Sequence, residues 1–314
     1  MNWLFLRGKM ERHKECAWKS LDECTDMWTH LFAGLVYEDD YGQVMYSNGN
    51  RTVIYKNNFV ETWTKGFKAA DLTVSKPDII VARGGFKEYV PFLKQFPKAK
   101  KIYYGANHGC IPKDSIKYDF VMCDSEQQVN KCKKHGIVGK LFFKPAAPIF
   151  FPRAVEKKYD IGFSAIWSKD RRKNVAWVHR TVPKGLSVLQ MGHACKAPSN
   201  VSVKLVFHDR MPRAISKCKV ILAPYTSEDS CPRIIPEALA CGVPVIALDS
   251  CQFWKKKYPV HVIDKHDFWR RVLMAIKHID IEKQKEVILK KYRENISLKP
   301  AAEHLRRIIN EKQK

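Results

Sequence analysis

Apolar residues fall in short runs along the chain, each closed by small or polar residues and separated by stretches of helical period. Asn2–Arg7 reads as a first buried strand, followed by a turn at Gly8. Trp18, Leu21, Met27, Trp28, Leu31 and Leu35 then recur at helical spacing. Gln43–Tyr46 and Thr52–Tyr55 are short strand candidates, and Pro77–Ala82 is a buried strand breaking at Gly84-Gly85 before a helix from about Phe86. Lys101–Tyr104 ends at Gly105-Ala-Asn-His108, and Phe120–Cys123 ends at Asp124-Ser125 before a helix over Glu126–His135. Strands alternating with helices point to a parallel sheet covered on both faces. In such sheets ligands bind at the edge where the strands end.

A Pro-rich segment, Lys144–Pro148 and on to Pro152-Arg153, interrupts this order, and the alternation then restarts. Strands are expected at Asp160–Ala165, Leu186–Met191, Val203–Phe207, Val220–Ala223, Val243–Leu248 and Val260–Ile263. Helices are expected at Arg171–Arg180, Met211–Lys217, Pro232–Cys241 and His266–Lys277, with an amphipathic tail helix at Ala301–Ile309. The domains expected are residues 1–148, residues 149–298, and a C-terminal helix at 299–314 that packs back on the first domain.

Composition narrows the class. A chain of 314 residues that is 45% hydrophobic is globular and long enough for two cores. It has no apolar run near the roughly 18–20 residues of a membrane span. Met1–Leu6 is too short for a signal-peptide core, so a cytoplasmic protein is expected. The ten cysteines form no Cys-x-x-Cys pair and have no clustered His partners, which argues against a zinc site or a disulfide framework. Cys123, Cys218 and Cys241 read as small core residues. The balance of 56 Lys and Arg against 32 Asp and Glu, a formal net of +24, favours polyanionic partners.

The richest segment is Tyr225-Thr-Ser-Glu-Asp-Ser-Cys-Pro-Arg-Ile-Ile-Pro-Glu237, continuing Ala-Leu-Ala-Cys-Gly242-Val-Pro-Val-Ile-Ala-Leu-Asp249. It sets Asp229 and Glu237 across a helix start, closes the helix at Gly242 and runs into an apolar strand. A helix start with free N–H groups suits a phosphate, and a flanking carboxylate suits sugar hydroxyls. This order resembles the acid-x7-acid donor site of retaining glycosyltransferases of the GT-B fold. The resemblance implies an α/β protein of two Rossmann-like domains facing across a cleft.

What the resemblance implies for chemistry is specific. Glu237 would hold the donor ribose diol, and Asp229 the donor-sugar hydroxyls. The family more often has Glu at the Asp229 position, and Glu228 stands beside it. The plainer reading is that Asp229 or Ser230 caps the helix and Glu237 is a solvated acid. Backbone donors at Ser230 and Cys231, with Lys169, Arg172 and Lys173, would hold the diphosphate. A cationic helix start is unfavourable without an anion beside it. Arg210, in Phe207-His-Asp-Arg210, marks the nucleobase end. His108 would orient or deprotonate the acceptor hydroxyl, against the plainer reading of an exposed loop histidine. Arg7-Gly8-Lys9 would receive an anionic acceptor. The donor is a nucleotide sugar, retention is expected, and no metal is implied.

Three readings of the acceptor side stand. One is a hydroxymethylated base in DNA, as in phage enzymes that glycosylate their genomes, with Lys98–Lys101 and Lys131–Lys134 on phosphates; Tyr103, Tyr104 and Trp167 would stack on a base or, equally, lie in the core. Another is a lipid-linked or cell-wall glycan at an anionic membrane surface, contacted peripherally by the first domain. The third is a nucleotide- or nucleic-acid-binding protein of the same fold without turnover.

Overall fold

Two units divide the chain, residues Met1–Phe142 with Ala302–Lys314, and Phe143–Ala301. The computed structural model describes residues 1–7, 27–35, 41–46, 51–56, 59–63, 72–73, 76–84, 89–105, 111–113, 115–165, 171–193, 195–227, 232–278 and 280–311, with backbone alone at 35, 51–56 and 60–63.

The first unit is built on β1 (Asn2–Arg7), α1 (Met27–Leu35), β2 (Tyr41–Tyr46), β3 (Arg51–Lys56), β4 (Phe59–Trp63), β5 (Ile79–Arg83), α2 (Tyr89–Lys94), β6 (Lys100–Tyr104), β7 (Phe120–Cys123), α3 (Glu126–Lys134) and β8 (Gly139–Leu141). Its eight strands run in the order β3-β4-β2-β1-β5-β6-β7-β8 and pair in parallel except at the β3–β4 hairpin. Period-two burial sends Leu4, Leu6, Ile80 and Ala82 to one face, under Tyr89, Phe92 and Leu93 of α2. On the opposite face the Phe5 ring stacks on Phe32 of α1 at 4.1 Å. Helices on both faces explain why these strands are apolar throughout.

The second unit contains β9 (Tyr159–Ser164), α4 (Val175–Thr181), β10 (Val188–Met191), β11 (Val201–Lys204), α5 (Met211–Ser216), β12 (Cys218–Ala223), α6 (Ile234–Ala240), β13 (Val245–Leu248), β14 (His261–Ile263), α7 (Phe268–His278) and α8 (Ile281–Asn295). The last helix is α9 (Leu298–Asn310). The sheet order β11-β10-β9-β12-β13-β14 is parallel throughout. Val175 and Val178 of α4 and Phe268 and Val272 of α7 close one core over Ile161, Phe163, Val220 and Ile246. Gly162 lets β9 and β12 approach, because a Cβ there would lie 2.5 Å from the Cys218 sulfur. Both sheets are doubly wound, as the alternation predicts.

Asp160 locks the start of β9. Its carboxylate accepts from Ser187 N at 2.9 Å, Ser187 Oγ at 2.8 Å and Lys219 Nζ at 2.8 Å. Burial would raise its pKa, but these donors outweigh burial and hold the carboxyl below its usual range. A depressed native pKa gives stability that is present above the unfolded value near 3.9 and is lost as pH falls through the lower native value. Asp160→Asn is therefore expected to lower the urea midpoint at pH 7, with the gap to wild type closing in acid. A gap that stays constant down to about pH 2 would contradict the linkage.

Several expectations shift. The helix expected at Arg171–Arg180 is divided into a 3-10 turn, Arg171–Lys173, and α4, with the break at Asn174, which sits at φ 53°. The strand expected at Val203–Phe207 is β11, which begins two residues and ends three residues earlier, leaving the Phe207 ring exposed. The tail helix begins at Leu298 because Pro300 lies in its first turn, where its missing N–H has no intrahelical partner to lose. The sequence assigns no element to α8, although the Asp280 side chain caps it by accepting from Lys283 N at 3.1 Å.

Two parts of the DNA reading change. Lys100 bonds the carbonyl of Ile309, and Lys101 Nζ donates to Phe96 O at 2.6 Å. Lys140 Nζ likewise donates to Ile308 O at 2.6 Å, so Lys100 and Lys140 satisfy carbonyls at the C-terminal end of α9. Tyr103 and Tyr104 are core residues. The first packs edge-on against Tyr118 at 5.1 Å, and the second bonds both Asp124 oxygens at 3.2 Å. Trp167 lies outside the described residues. Lys98, Lys131, Lys133 and Lys134 are exposed.

Candidate functional site

Helix α6 is buried on every side, so its single acid, Glu237, is a buried carboxylate with 6% of its surface exposed. A solvated helical acid is thereby excluded. The helix ends in a left-handed turn in which Gly242 N bonds Leu239 O at 3.0 Å and Val243 N bonds Ala238 O at 2.9 Å. Gly242 has φ 70°, and a Cβ there would meet Lys285 Cγ at 2.8 Å and Leu289 Cγ at 3.2 Å. Gly242→Ala is expected to cost about 1–3 kcal/mol in urea unfolding. A loss below about 0.5 kcal/mol, the range of an ordinary surface change, would show that the turn does not need glycine.

Around Glu237 the chain gathers positive charge. His208 Nε2 lies 3.4 Å from Glu237 Oε1. Burial would raise the Glu237 pKa, but the His208 hydrogen bond and the charges of Arg233, His208 and Lys173 outweigh it and hold the carboxyl below its usual range. The carboxylate is therefore ionised at neutral pH and poised to accept hydrogen bonds. His208 is seated by the Phe150 ring, edge-on at 5.2 Å. Phe150 belongs to the Pro-rich segment, which is tied down by Lys144 N to Tyr258 Oη at 2.8 Å and Ala146 N to Tyr292 Oη at 3.0 Å.

Lys173 ends the 3-10 turn Arg171–Lys173 that precedes α4. Its ammonium lies 4.3 Å from the centre of the Tyr225 ring, and the Tyr225 hydroxyl donates to Ser164 O at 2.7 Å. Thr226 N donates to Arg172 O at 3.0 Å, tying the loop after β12 to the 3-10 turn after β9. The left-handed Asn174 follows at once, a strained backbone position for a residue with a side chain. The 3-10 turn before α4, the 3-10 turn His208–Arg210 before α5, and α6 with the Arg233 that precedes it thus bring Lys173, His208, Arg233 and Glu237 into one charged cluster.

No protein-family model matches the chain, and no curated protein sequence does. Solved structures do. Sucrose-phosphate synthase from Thermosynechococcus elongatus superposes with a TM-score of 0.71 at 11% identity, over 98% of each chain. AviGT4, a glycosyltransferase involved in avilamycin A biosynthesis, gives 0.67 at 12% identity, over 98% of this chain and 96% of that one. HepE from Anabaena, in complex with UDP and glucose, gives 0.64 at 11% identity, over 98% of this chain and 99% of that one. The fold is GT-B. Both Rossmann-like domains of that fold are present.

Of the residues singled out from sequence, Glu237 and Lys173 meet in the cluster. Arg172 contributes a backbone carbonyl to it. The Arg210 side chain is exposed, 4.0 Å from Asp209 and on the same turn as His208. Lys169, Asp229, Ser230, Cys231 and His108 lie outside the described residues. Sequence reasoning missed His208 and Arg233. Arg233 was legible as the residue four before Glu237, the spacing of an ion pair on a helix. Burial pushes the Cys218 and Cys241 thiols up to about 12, so both stay protonated. Among the described residues no group of three or more His, Cys, Asp or Glu could hold a metal ion, and no helix is long and apolar enough to cross a membrane.

Proposed function

We propose that the protein is a glycosyltransferase that moves a sugar from a nucleoside-diphosphate sugar to a hydroxyl of an anionic acceptor, with retention. The observation that carries this reading is the buried, ionised Glu237 on α6 among His208, Arg233 and Lys173. A ribose diol offers the two O–H donors such a carboxylate accepts. The exposed Phe207 ring beside His208 gives a nucleobase an apolar face. Lys173, with Lys169 and Arg172, neutralises the diphosphate, and Ser230 and Cys231 supply backbone donors. Arg210 borders the base, Asp229 takes the sugar hydroxyls, and His108 orients the acceptor. HepE has been solved with UDP-glucose, a donor of this class.

In the step proposed, the bond from the anomeric carbon to the diphosphate breaks and a bond to the acceptor oxygen forms on the same face. The acceptor proton passes to the leaving diphosphate. The protein supplies position and charge, not a nucleophile.

A thermal-shift panel of nucleotide sugars tests the donor, followed by transfer assays on hydroxymethylated DNA and on a glycolipid in anionic vesicles. Stabilisation by one donor and by its nucleoside diphosphate is expected. Absence of any shift across the panel would reject the reading, and donor binding without transfer or hydrolysis would leave a binding protein of this fold. Lys98, Lys131, Lys133 and Lys134 are the remaining candidates for DNA phosphates, and a DNA acceptor requires affinity that falls steeply with salt.

A further inference from the structure

A cavity of about 680 Å³ opens in the second unit between β14 and α7. That volume lies in the range of small-molecule sites. β14 stands at the edge of its sheet. His261 pairs in register with Ile246, and Ile263 with Leu248, so these four side chains share the face that α7 covers. Phe268 and Val272 of α7 enter the core there and are fully buried. The next inward position is Ala275, which lines the cavity, and its single methyl leaves space unfilled. Val220 and Ile246, members of the same core, form the floor. None of Lys173, His208, Arg233 and Glu237 lines it.

The rim is polar. On α7, Asp267, Arg271, Met274 and His278 follow at spacings of four, three and four, one stripe of the helix. The helix packs back over the sheet it leaves. Asp264 and Asp267 therefore stand at one end of the cavity, His261 and His278 at the other, and Arg271 between them. The acids are engaged. Arg270 donates to Asp267 from Nε to Oδ1 at 3.2 Å and from Nη2 to Oδ2 at 2.9 Å, and Asp264 Oδ1 accepts from His266 N at 2.8 Å. Among the described residues the Arg271 guanidinium has no ion pair and no hydrogen bond, nor do the rings of His261 and His278. Val262 and Met274, which line the cavity, are exposed. Among the described residues no Phe, Tyr or Trp lines it, so the apolar wall suits an aliphatic chain and offers no ring for a base to stack on.

We infer that this cavity binds a small amphipathic anion, an unbranched aliphatic chain ending in one carboxylate. The chain covers Ile246, Val262 and Met274, where the flexible Met274 adapts to it. The carboxylate is ionised at neutral pH and meets the Arg271 fork, whose geometry it matches. The site is separate from the Glu237 cluster and does not depend on the glycosyltransferase reading. The same chemistry is offered by a free fatty acid in solution and by one held in a membrane.

The test is a calorimetric titration of the full chain with decanoate, kept below the concentration at which it forms micelles. A dissociation constant of about 0.1–1 mM is expected, because the burial of methylenes is offset by the cost of association. Octanoate, two methylenes shorter, is expected to bind roughly tenfold more weakly. Decanol, which keeps the chain and lacks the charge, is expected to bind more weakly than decanoate. Arg271→Gln, at an exposed position, is expected to weaken decanoate at least about tenfold, the loss of one charged hydrogen bond. Ala275→Leu fills the cavity and is expected to abolish binding with an unchanged or higher melting temperature. Should that variant fail to fold, Arg271→Gln and the chain-length series decide alone.

No decanoate binding, equal affinity in wild type and Arg271→Gln, or decanol bound as tightly as decanoate overturns the proposal. A folded Ala275→Leu that binds decanoate as wild type does overturns it too, because the anion is then adsorbed elsewhere on a basic surface. Glu237→Ala is expected to bind decanoate as wild type does, so failure of the donor reading leaves this site standing. Once decanoate binds through Arg271, Arg271-dependent capture on phosphatidylcholine vesicles carrying oleic acid assigns the ligand to a membrane. Absence of capture assigns it to solution.

Discussion

Glu237→Ala is expected to raise the dissociation constant for the nucleotide-sugar donor by roughly ten- to a hundredfold, with turnover falling alongside. The magnitude follows from withdrawing a charged acceptor, since hydrogen bonds to charged groups contribute about 1.5–3 kcal/mol each. Glu237→Gln keeps one acceptor and the shape, so it falls between Ala and wild type. The measurement is calorimetric titration with the donor that the thermal-shift panel selects, alongside the melting temperature of each variant. The fold is expected to lose some stability too, because His208, Arg233 and Lys173 then face one another without their carboxylate. That loss has a sign. The ionised form is favoured in the native state, so the stability it contributes is present above the unfolded value near 4.3 and disappears as pH falls through the lower native value. Donor affinity and turnover unchanged in Glu237→Ala, in a folded variant, would show the carboxylate to be a structural ion-pair partner and nothing more.

Much of the architecture was legible because parallel strands buried on both faces announce themselves as apolar runs. Asn2–Arg7, Phe120–Cys123 and Val220–Ala223 are read directly. What was not legible depended on partners distant in sequence. Phe59–Trp63 becomes a strand by pairing with β2 and β3, and Gly139–Leu141 by pairing with β7; neither has a run that stands out alone. Helix α8 hides because only Ile288 and Tyr292 of its length are buried, the remainder being a charged outer face. The break at Asn174 was invisible because the bonds that accompany it, Thr226 N to Arg172 O and Lys173 over Tyr225, come from the loop after β12, distant in sequence although β12 neighbours β9 in the sheet.

The same division holds at the site. Motif order led to Glu237, because the acid sits between a helix start and a Gly242 stop. Counting lysines led to the wrong members of the basic surface. Lys100 and Lys101 looked like part of a polyanion patch, yet their ammonium groups serve backbone carbonyls. A net charge of +24 is an argument about partners, not about which cation meets them. Local contacts decide that, and a sequence does not show them.

Lys173 carries the second large effect. Lys173→Met is expected to lower kcat by about a hundred- to a thousandfold, the range found when one preorganised donor to a developing anion is removed. Donor KM should change much less, because in the proposed reaction the ammonium would act on charge that grows as the diphosphate leaves. Its position is fixed before any ligand arrives. The ring of Tyr225 holds the ammonium at 4.3 Å, the Tyr225 hydroxyl is bonded to Ser164 O at 2.7 Å, and Ser250 Oγ bonds Tyr225 O at 3.0 Å. The left-handed Asn174 ends the turn directly behind it. Lys173→Arg keeps the charge and should recover part of the rate, which separates electrostatics from packing. Tyr225→Phe should leave the ring face and lose only the hydroxyl bond, so its kcat stays closer to wild type than that of Lys173→Met. If Lys173→Met keeps kcat within about threefold of wild type while remaining folded, the leaving group is stabilised elsewhere. Lys169 and Arg172 then become the residues to vary.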